Sequence, residues 1–257
     1  MIPSVLQTGV VITMAGAGSR FRQAGYNVPK HEIVARGRTL FAWSMESLRS
    51  FINADCPFYF VTREQDAVEH FIARECDELG IATYSVITLD AMTDGQATTA
   101  LLVEPEWAAP SHPVAIYNID TYVDPLELDI HKIRGEGWIP CFPGDGDKWS
   151  FAAADQKGLV SEVREKKRIS PHATLGLYWF DSFARYADAY RSYYSQPDRL
   201  EAGERYIAPL YNQLIQEGAR VYMHSVPANR VFPLGTPEDV RVFESLTAES
   251  LTPGVMV

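Results

Sequence analysis

Arg20 and Lys30 flank the stretch of this chain whose residue types point most directly at an anion. An apolar run from Val10 to Met14 feeds a loop of small residues, Ala15-Gly16-Ala17-Gly18-Ser19, which continues into Arg20-Phe21-Arg22 and reaches Pro29-Lys30. A strand that delivers a glycine loop bares backbone N–H groups, and cations beside it neutralise what those groups bind, so the simplest ligand is a polyphosphate. Arg20 and Lys30 stand where two cations hold the β- and γ-phosphates of a nucleoside triphosphate. The alternative is a tight strand-to-helix turn with a solvated Arg and Lys. A second chemistry-bearing residue, Asp120, ends the apolar run Val114–Ile119, where a carboxylate is either a turn residue or a ligand for a hard divalent cation.

Two familiar phosphate loops do not fit. Gly16-x-Gly18-x-x-Phe21 puts Phe where a dinucleotide fingerprint needs a small residue, and Thr62-Arg63 occupy the strand end where that fold carries an acid. No Gly-Lys-Ser/Thr follows the loop, so the Walker pattern fails as well.

The elements that must position these residues alternate in the first half of the chain. Strand-like runs at 10–14, 57–61, 82–89 and 114–119 are separated by helical patterns near 39–51, 65–79 and 97–103, the signature of a mostly parallel sheet covered on both faces. Ligands of such sheets sit at the carboxyl ends of the strands. The second half reads as antiparallel strands at 138–142, 149–153, 159–165 and 173–180. Helices follow near 181–195 and 203–217, then a strand at 220–226 and a closing helix capped by Thr236 with Pro237 in its first position. No linker or repeat divides the chain, so one domain is expected.

Composition narrows the partners. The chain has 257 residues, 46% of them hydrophobic, and a formal net charge of −10. An acidic surface argues against nucleic acid and anionic membranes as main partners. Three scattered cysteines form no disulfide framework and no zinc grouping, no apolar run approaches a membrane span, and Met1–Ser4 lacks a signal-peptide pattern. The expectation is a cytoplasmic protein without membrane insertion.

Ala15-Gly16-x-Gly18-x-Arg20-Phe21 with Pro29-Lys30 resembles the signature of the nucleotidyltransferases that make nucleotide-sugars, the thymidylyl-, uridylyl- and cytidylyltransferases of surface-polysaccharide pathways. His31 departs from the pattern, which often has a second Pro there. Further matches follow in order. Asp94-Gly95-Gln96-Ala97 resembles the base-recognition turn, although alone it is a plain helix cap. Asn118-Ile119-Asp120 resembles the strand end whose Asp binds Mg²⁺. Glu165-Lys166 resembles the acceptor-binding Glu-Lys pair, and Leu175-Gly176-Leu177-Tyr178-x-Phe180 the strand behind the acceptor. Gly235-Thr236-Pro237-Glu238-Asp239 resembles the closing motif, except that Pro233 stands where a second metal-binding Asp is expected, with Glu204 as a candidate substitute.

The resemblance implies a single-domain α/β, Rossmann-like three-layer sandwich with a mixed, mostly parallel central sheet, the nucleotidyltransferase (nucleotide-diphospho-sugar transferase) fold. Its nucleotide-binding half is placed at about 8–120 and its acceptor-binding half at about 121–257. It implies transfer of NMP from an NTP, with a pyrimidine favoured, to a sugar 1-phosphate or similar phosphorylated small molecule, with release of pyrophosphate. Arg20, Lys30, Asp120 and Lys166 become the catalytic set, with Mg²⁺ on Asp120. Met14, Ala15, Gly16, Ala17, Gly18, Ser19, Arg20, Lys30, Asp94, Gly95 and Gln96 become the nucleotide contacts, and Asn118, Tyr122, Glu165, Lys166 and Gly176 the acceptor contacts. A nucleotide-sugar-dependent glycosyltransferase and an inactive regulatory homologue of the same fold are the alternatives. The base, the acceptor and homo-oligomer formation stay open.

Overall fold

The computed structural model describes residues 5–247. Its first half contains β1 (Gly9–Thr13), α1 (Ser19–Gln23), the small hairpin of β2 (Val34–Ala35) and β3 (Arg38–Thr39), then α2 (Leu40–Glu46) and α3 (Arg49–Asn53). These are followed by β4 (Phe58–Arg63), α4 (Glu69–Leu79), β5 (Tyr84–Leu89), α5 (Gln96–Leu101) and β6 (Val114–Asn118). The second half adds β7 (Thr121–Val123), β8 (Gly137–Pro143), β9 (Ser150–Ala154), β10 (Val160–Glu165), β11 (His172–Thr174) and β12 (Leu177–Phe180). The chain then continues through α6 (Phe183–Tyr193), α7 (Tyr211–Gln216), β13 (Val221–Ser225), β14 (Val231–Pro233) and α8 (Pro237–Ser245).

Ten strands form one sheet in the order β10-β9-β11-β8-β12-β6-β1-β4-β5, with β13 pairing β8 in addition. β6, β1, β4 and β5 are mutually parallel, and β12 reverses the direction where it joins β6. The antiparallel strands therefore extend the first sheet. β13 is the exception, running parallel to β8.

Alternation along the central strands builds two cores. Val10, Ile12, Phe58 and Phe60 face α2 and α4 through Phe41, Phe71 and Ile72. Val11, Tyr59 and Val61 face α5, α6 and α7 through Ala97, Tyr186 and Tyr211. Both faces of the sheet are thus covered, the three-layer sandwich expected of a parallel sheet. A third, smaller cluster gathers Phe21, Leu40, Tyr122, Leu234, Val240 and Phe243 beneath the glycine loop. It ties α1 to α8 and fixes the loop from below.

Several boundaries differ from the sequence expectation. The helix expected over 39–51 is two, broken at Ser47–Leu48. The helix over 65–79 begins only at Glu69, because Ala67 takes a left-handed backbone (φ 46) after a 3-10 turn. The strand over 173–180 divides at Gly176, whose φ of 85 is a turn conformation that suits glycine. Only Tyr211–Gln216 of the 203–217 segment is α-helical, since Arg205 is held in extended pairing with the turn at Asp94. No helix among the described residues is long and apolar enough to cross a membrane.

Candidate active site

The carboxyl ends of β1, β4 and β6 open into a cleft of about 950 Å³. Its floor begins where β1 ends at Thr13. Gly18 adopts φ 61, a left-handed conformation natural for glycine, and so turns the chain into α1. Phe21 is buried in the small core, which leaves Arg20 on the exposed side of α1. The Arg22 guanidinium donates to the Ala17 carbonyl and closes the loop from outside.

Pro29 leads into a 3-10 turn, Lys30–Glu32, that carries Lys30 back against the loop, where a Cβ on Gly18 would meet Lys30 Cβ at 3.8 Å. Lys30 Nζ lies 3.1 Å from Asp120 Oδ2, with the Lys side chain mostly buried and the Asp side chain 38% exposed. Asp120 follows β6 and is pinned by its carbonyl, which accepts from Leu234 N at 2.7 Å. The loop and the strand-end acid, separated by some hundred residues, therefore meet in one place.

Gln96 forms the opposite wall. Its Nε2 donates to Asn118 Oδ1 and, at 3.1 Å, to Thr13 Oγ1. Gly95 has φ 144 and packs so closely on Arg205 that a Cβ would collide with that backbone. Arg205 N donates to the Asp94 carbonyl at 2.8 Å, and Ala97 N donates to the Arg205 carbonyl at 3.0 Å. The 201–206 segment thus clamps the turn that carries Gln96, and it places Glu204 and Tyr206 on the cleft wall.

Of the residues singled out in the sequence, Met14 through Arg20, Lys30, Gly95, Gln96, Asn118 and Asp120 all line this cleft. The others stand differently. Asp94 lies outside the lining, where its carboxylate pairs with Arg205 Nε at 3.1 Å. Tyr122 is a core residue: its ring packs against Trp43 and stacks on Phe232, so the expected acceptor contact is corrected to a structural role under the loop. Gly176 touches the cleft only through Asn118, against whose side chain it packs. Glu165 is buried and accepts from Ser150 Oγ, and burial raises its carboxyl pKa. Lys166 is exposed, with a left-handed backbone (φ 48), and its Nζ donates to Tyr206 Oη, which faces the cleft.

The position of the missing acid is also resolved. Pro233 pairs with Thr121 in the β14–β7 ladder, next to Asp120, and contributes no oxygen donor from its side chain. Asp239, from the first turn of α8, approaches instead. A Cβ on Gly235 would stand 3.5 Å from Asp120 Oδ2 and 3.8 Å from Asp239 Oδ2, so the bare glycine leaves a gap between two carboxylates. Glu204, the substitute considered from sequence, accepts from Tyr206 Oη on the other wall. Among the described residues no group of three or more His, Cys, Asp or Glu side chains gathers as a metal cage. Two hard oxygen donors beside a phosphate site nevertheless suit Mg²⁺, which keeps several waters and takes one or two carboxylates plus substrate phosphates.

Three lining residues had been passed over. Arg63 and Asp66 follow the carboxyl end of β4, and His31 follows Lys30. The strand-end rule pointed at Arg63, which the sequence offered only as the wrong residue for a dinucleotide site.

No family model matches the chain, and no curated relative matches it. Solved structures do. A nucleoside-diphosphate-sugar pyrophosphorylase from Vibrio cholerae RC9 superposes with a TM-score of 0.86 at 34% identity, covering 92% of this chain and 100% of that one. The inositol-1-phosphate CTP transferase of T. maritima matches with a TM-score of 0.71 at 15% identity over 96% of this chain and 94% of that one. A Bacillus anthracis protein described provisionally as a glucose-1-phosphate thymidylyltransferase, in complex with a sucrose, gives 0.70 at 15% over 93% and 96%. The last two share the fold; the first carries identity as well along its whole length. The chain therefore belongs to the nucleoside-diphosphate-sugar pyrophosphorylase family and is a nucleotidyltransferase.

Proposed function

We propose that the protein transfers NMP from a pyrimidine nucleoside triphosphate to a sugar 1-phosphate or a similar phosphorylated small molecule, releasing pyrophosphate. The observation that carries this reading is the meeting of the glycine loop, Lys30 and Asp120 at one cleft floor. The nucleotide is assigned to the half at about 8–120 and the acceptor to the half at about 121–257. The loop N–H groups, Arg20 and Lys30 hold the triphosphate, and Gly95 and Gln96 hold the base edge. Lys166, presented beside Tyr206, meets the acceptor phosphate.

An oxygen of the acceptor phosphate attacks the α-phosphorus in line. The bond from that phosphorus to the bridging oxygen of the β-phosphate breaks, and the bridging oxygen leaves with pyrophosphate. No protein nucleophile is needed; the chain's task is to align two anions and to offset their repulsion. Asp120, with Asp239 across Gly235, would hold Mg²⁺, which when bound neutralises charge on the phosphates. Lys30 neutralises the departing pyrophosphate, and Lys166 keeps the attacking phosphate from being repelled. The resemblance of the loop to that of polysaccharide-pathway enzymes supports a cytoplasmic product that serves as an activated precursor for cell-surface polysaccharide.

The test is pyrophosphate release with Mg²⁺, CTP, UTP, dTTP, ATP and GTP in turn, each with a panel of sugar 1-phosphates. Release with a pyrimidine triphosphate that depends on acceptor is the expected result. Failure with every pair, or a purine preference, overturns the reading.

A further inference from the structure

The transfer scheme leaves one corner of the cleft unused. Arg63 is the last residue of β4, and because Val61 pairs with Thr13, Arg63 stands level with the start of the glycine loop. Its Nε donates to Asp66 Oδ2 at 2.9 Å and its Nη2 to Asp66 Oδ1 at 2.8 Å. The two side chains are only 10% and 12% exposed. Two of the three guanidinium nitrogens are therefore fixed in a bidentate fork, while Nη1 has no protein partner among the described residues. His31 stands beside them, its side chain 6% exposed and its Nε2 buried without a partner. Burial lowers the His31 pKa to about 4, so the imidazole is neutral at physiological pH. Met92, 61% exposed, and Thr93 line the same cleft.

Charge separates this corner from the phosphate site. Arg63 and Asp66 cancel and His31 is neutral, so the corner carries no net charge to attract a triphosphate. It does offer a rigid pair of N–H donors on Nη1, held by a carboxylate in the way that makes arginine a directional ligand for oxygen. A nearly buried ion pair at a cleft wall is costly to keep unless its remaining donors find partners. A neutral, oxygen-rich ligand portion next to the phosphates satisfies that requirement, and the nucleoside of the triphosphate is such a portion.

We propose that the Arg63–Asp66 pair, with His31 alongside, is a specificity-determining contact for the nucleoside, in which Arg63 Nη1 donates to a carbonyl or hydroxyl oxygen of the base or ribose. The inference rests on the reading that the cleft binds a nucleoside triphosphate. Asp66 acts as a positioning residue, because it holds the fork and does not itself touch the ligand.

The test compares binding of the triphosphate that the wild type uses best with binding of inorganic tripolyphosphate, by calorimetry, in wild type, Arg63→Met, Arg63→Lys and Asp66→Asn. Arg63→Met is expected to weaken triphosphate binding tenfold or more while leaving tripolyphosphate within about twofold. Arg63→Lys, which keeps the charge and loses the fork, is expected to do the same, and it carries the test if Arg63→Met does not fold. In turnover the KM for the nucleotide rises while kcat and the acceptor KM hold. Equal losses for both ligands would make Arg63 a phosphate contact, and unchanged affinities in a folded variant would remove it from the site; either result overturns the proposal. A wild type that binds no nucleoside triphosphate and releases no pyrophosphate instead defeats the transfer reading itself.

Discussion

Lys30 Nζ and Asp120 Oδ2 are 3.1 Å apart, so the cation of the loop and the carboxylate of the β6 end neutralise each other across the cleft floor. Each belongs to a different electrostatic task once substrates arrive: Lys30 to the phosphates, Asp120 to a divalent cation. Their contact keeps a partly buried cation paired until phosphate replaces the carboxylate. Lys30→Ala is therefore expected to cut turnover by roughly 10²-fold or more, the scale of losing one contact to transition-state charge. Asp120→Ala should fall at least as far. Pyrophosphate release measures both, and near-wild-type rates in the two variants would contradict the assignment.

The same pair makes a binding prediction that does not depend on turnover. Lys30→Met removes the cation that competes for Asp120, so Mn²⁺ should bind the nucleotide-free protein more tightly than it binds wild type. Asp120→Asn should weaken it. Calorimetry with Mn²⁺ alone separates these outcomes, and a Lys30→Met protein with unchanged affinity would show that the ion pair does not guard the carboxylate.

Gly176 carries a different constraint. Its φ of 85 favours glycine, and a Cβ there would collide with the amide of Asn118, which accepts from Gln96. Gly176→Ala is expected to cost about 1–3 kcal/mol through backbone strain and to raise the nucleotide KM by displacing Asn118 and with it Gln96. Urea unfolding reads the first effect and steady-state kinetics the second. A variant with wild-type stability would mean that the Leu175–Gly176 turn relaxes without strain.

What was legible in the sequence follows the range of the interactions involved. The loop, Lys30 and Asp120 announce themselves because phosphate binding imposes residue types on short spacings. The parallel half of the sheet was readable from βα alternation. The sheet's extension was not, because the pairing of β12 with β6 joins segments some sixty residues apart and leaves no local pattern. Tyr122 shows the limit of motif proximity: two residues beyond Asp120 along a strand, it enters the core under the loop. Arg63 and Asp66 were overlooked because an ion pair spaced i, i+3 reads as an ordinary solvated turn until burial is known. Asp239 was counted as a helix-capping acid, and it is one, accepting from Thr236 Oγ1 at 2.7 Å; only its approach to Gly235 gives it a second meaning.

His31 links the site to acid stability. Desolvation by burial lowers its pKa from 6.5 to about 4, outweighing the opposing pull of Asp66. The unfolded chain thus takes up the proton first on acidification. The contribution of neutral His31 is fully present above pH 6.5 and is lost as pH falls from there to about 4, amounting to about 3 kcal/mol for a shift of this size. Glu165 works in the opposite sense, since burial raises its pKa and its protonated form favours the fold. The difference between wild type and His31→Gln isolates the first effect: the variant's unfolding free energy should fall less steeply between pH 6.5 and pH 4. Parallel curves for the two proteins would show that His31 takes up its proton without unfolding the chain.

The last prediction concerns the gap at Gly235. A methyl group there would sit in ordinary van der Waals contact with Asp120 Oδ2 and Asp239 Oδ2, and the backbone of Gly235 does not need a positive φ. Gly235→Ala should therefore fold with a melting temperature close to wild type. Yet the methyl stands between the two carboxylates, where a hydrated Mg²⁺ needs room for its waters. The concentration of Mg²⁺ that gives half-maximal pyrophosphate release should rise several-fold in Gly235→Ala, and it should rise in Asp239→Asn as well, because one of the two donors is then neutral. If Asp239 only caps α8, the Asn variant will lose some stability and keep the wild-type Mg²⁺ dependence. The Mg²⁺ titration of that variant, set beside its melting curve, distinguishes a metal-facing carboxylate from a structural one.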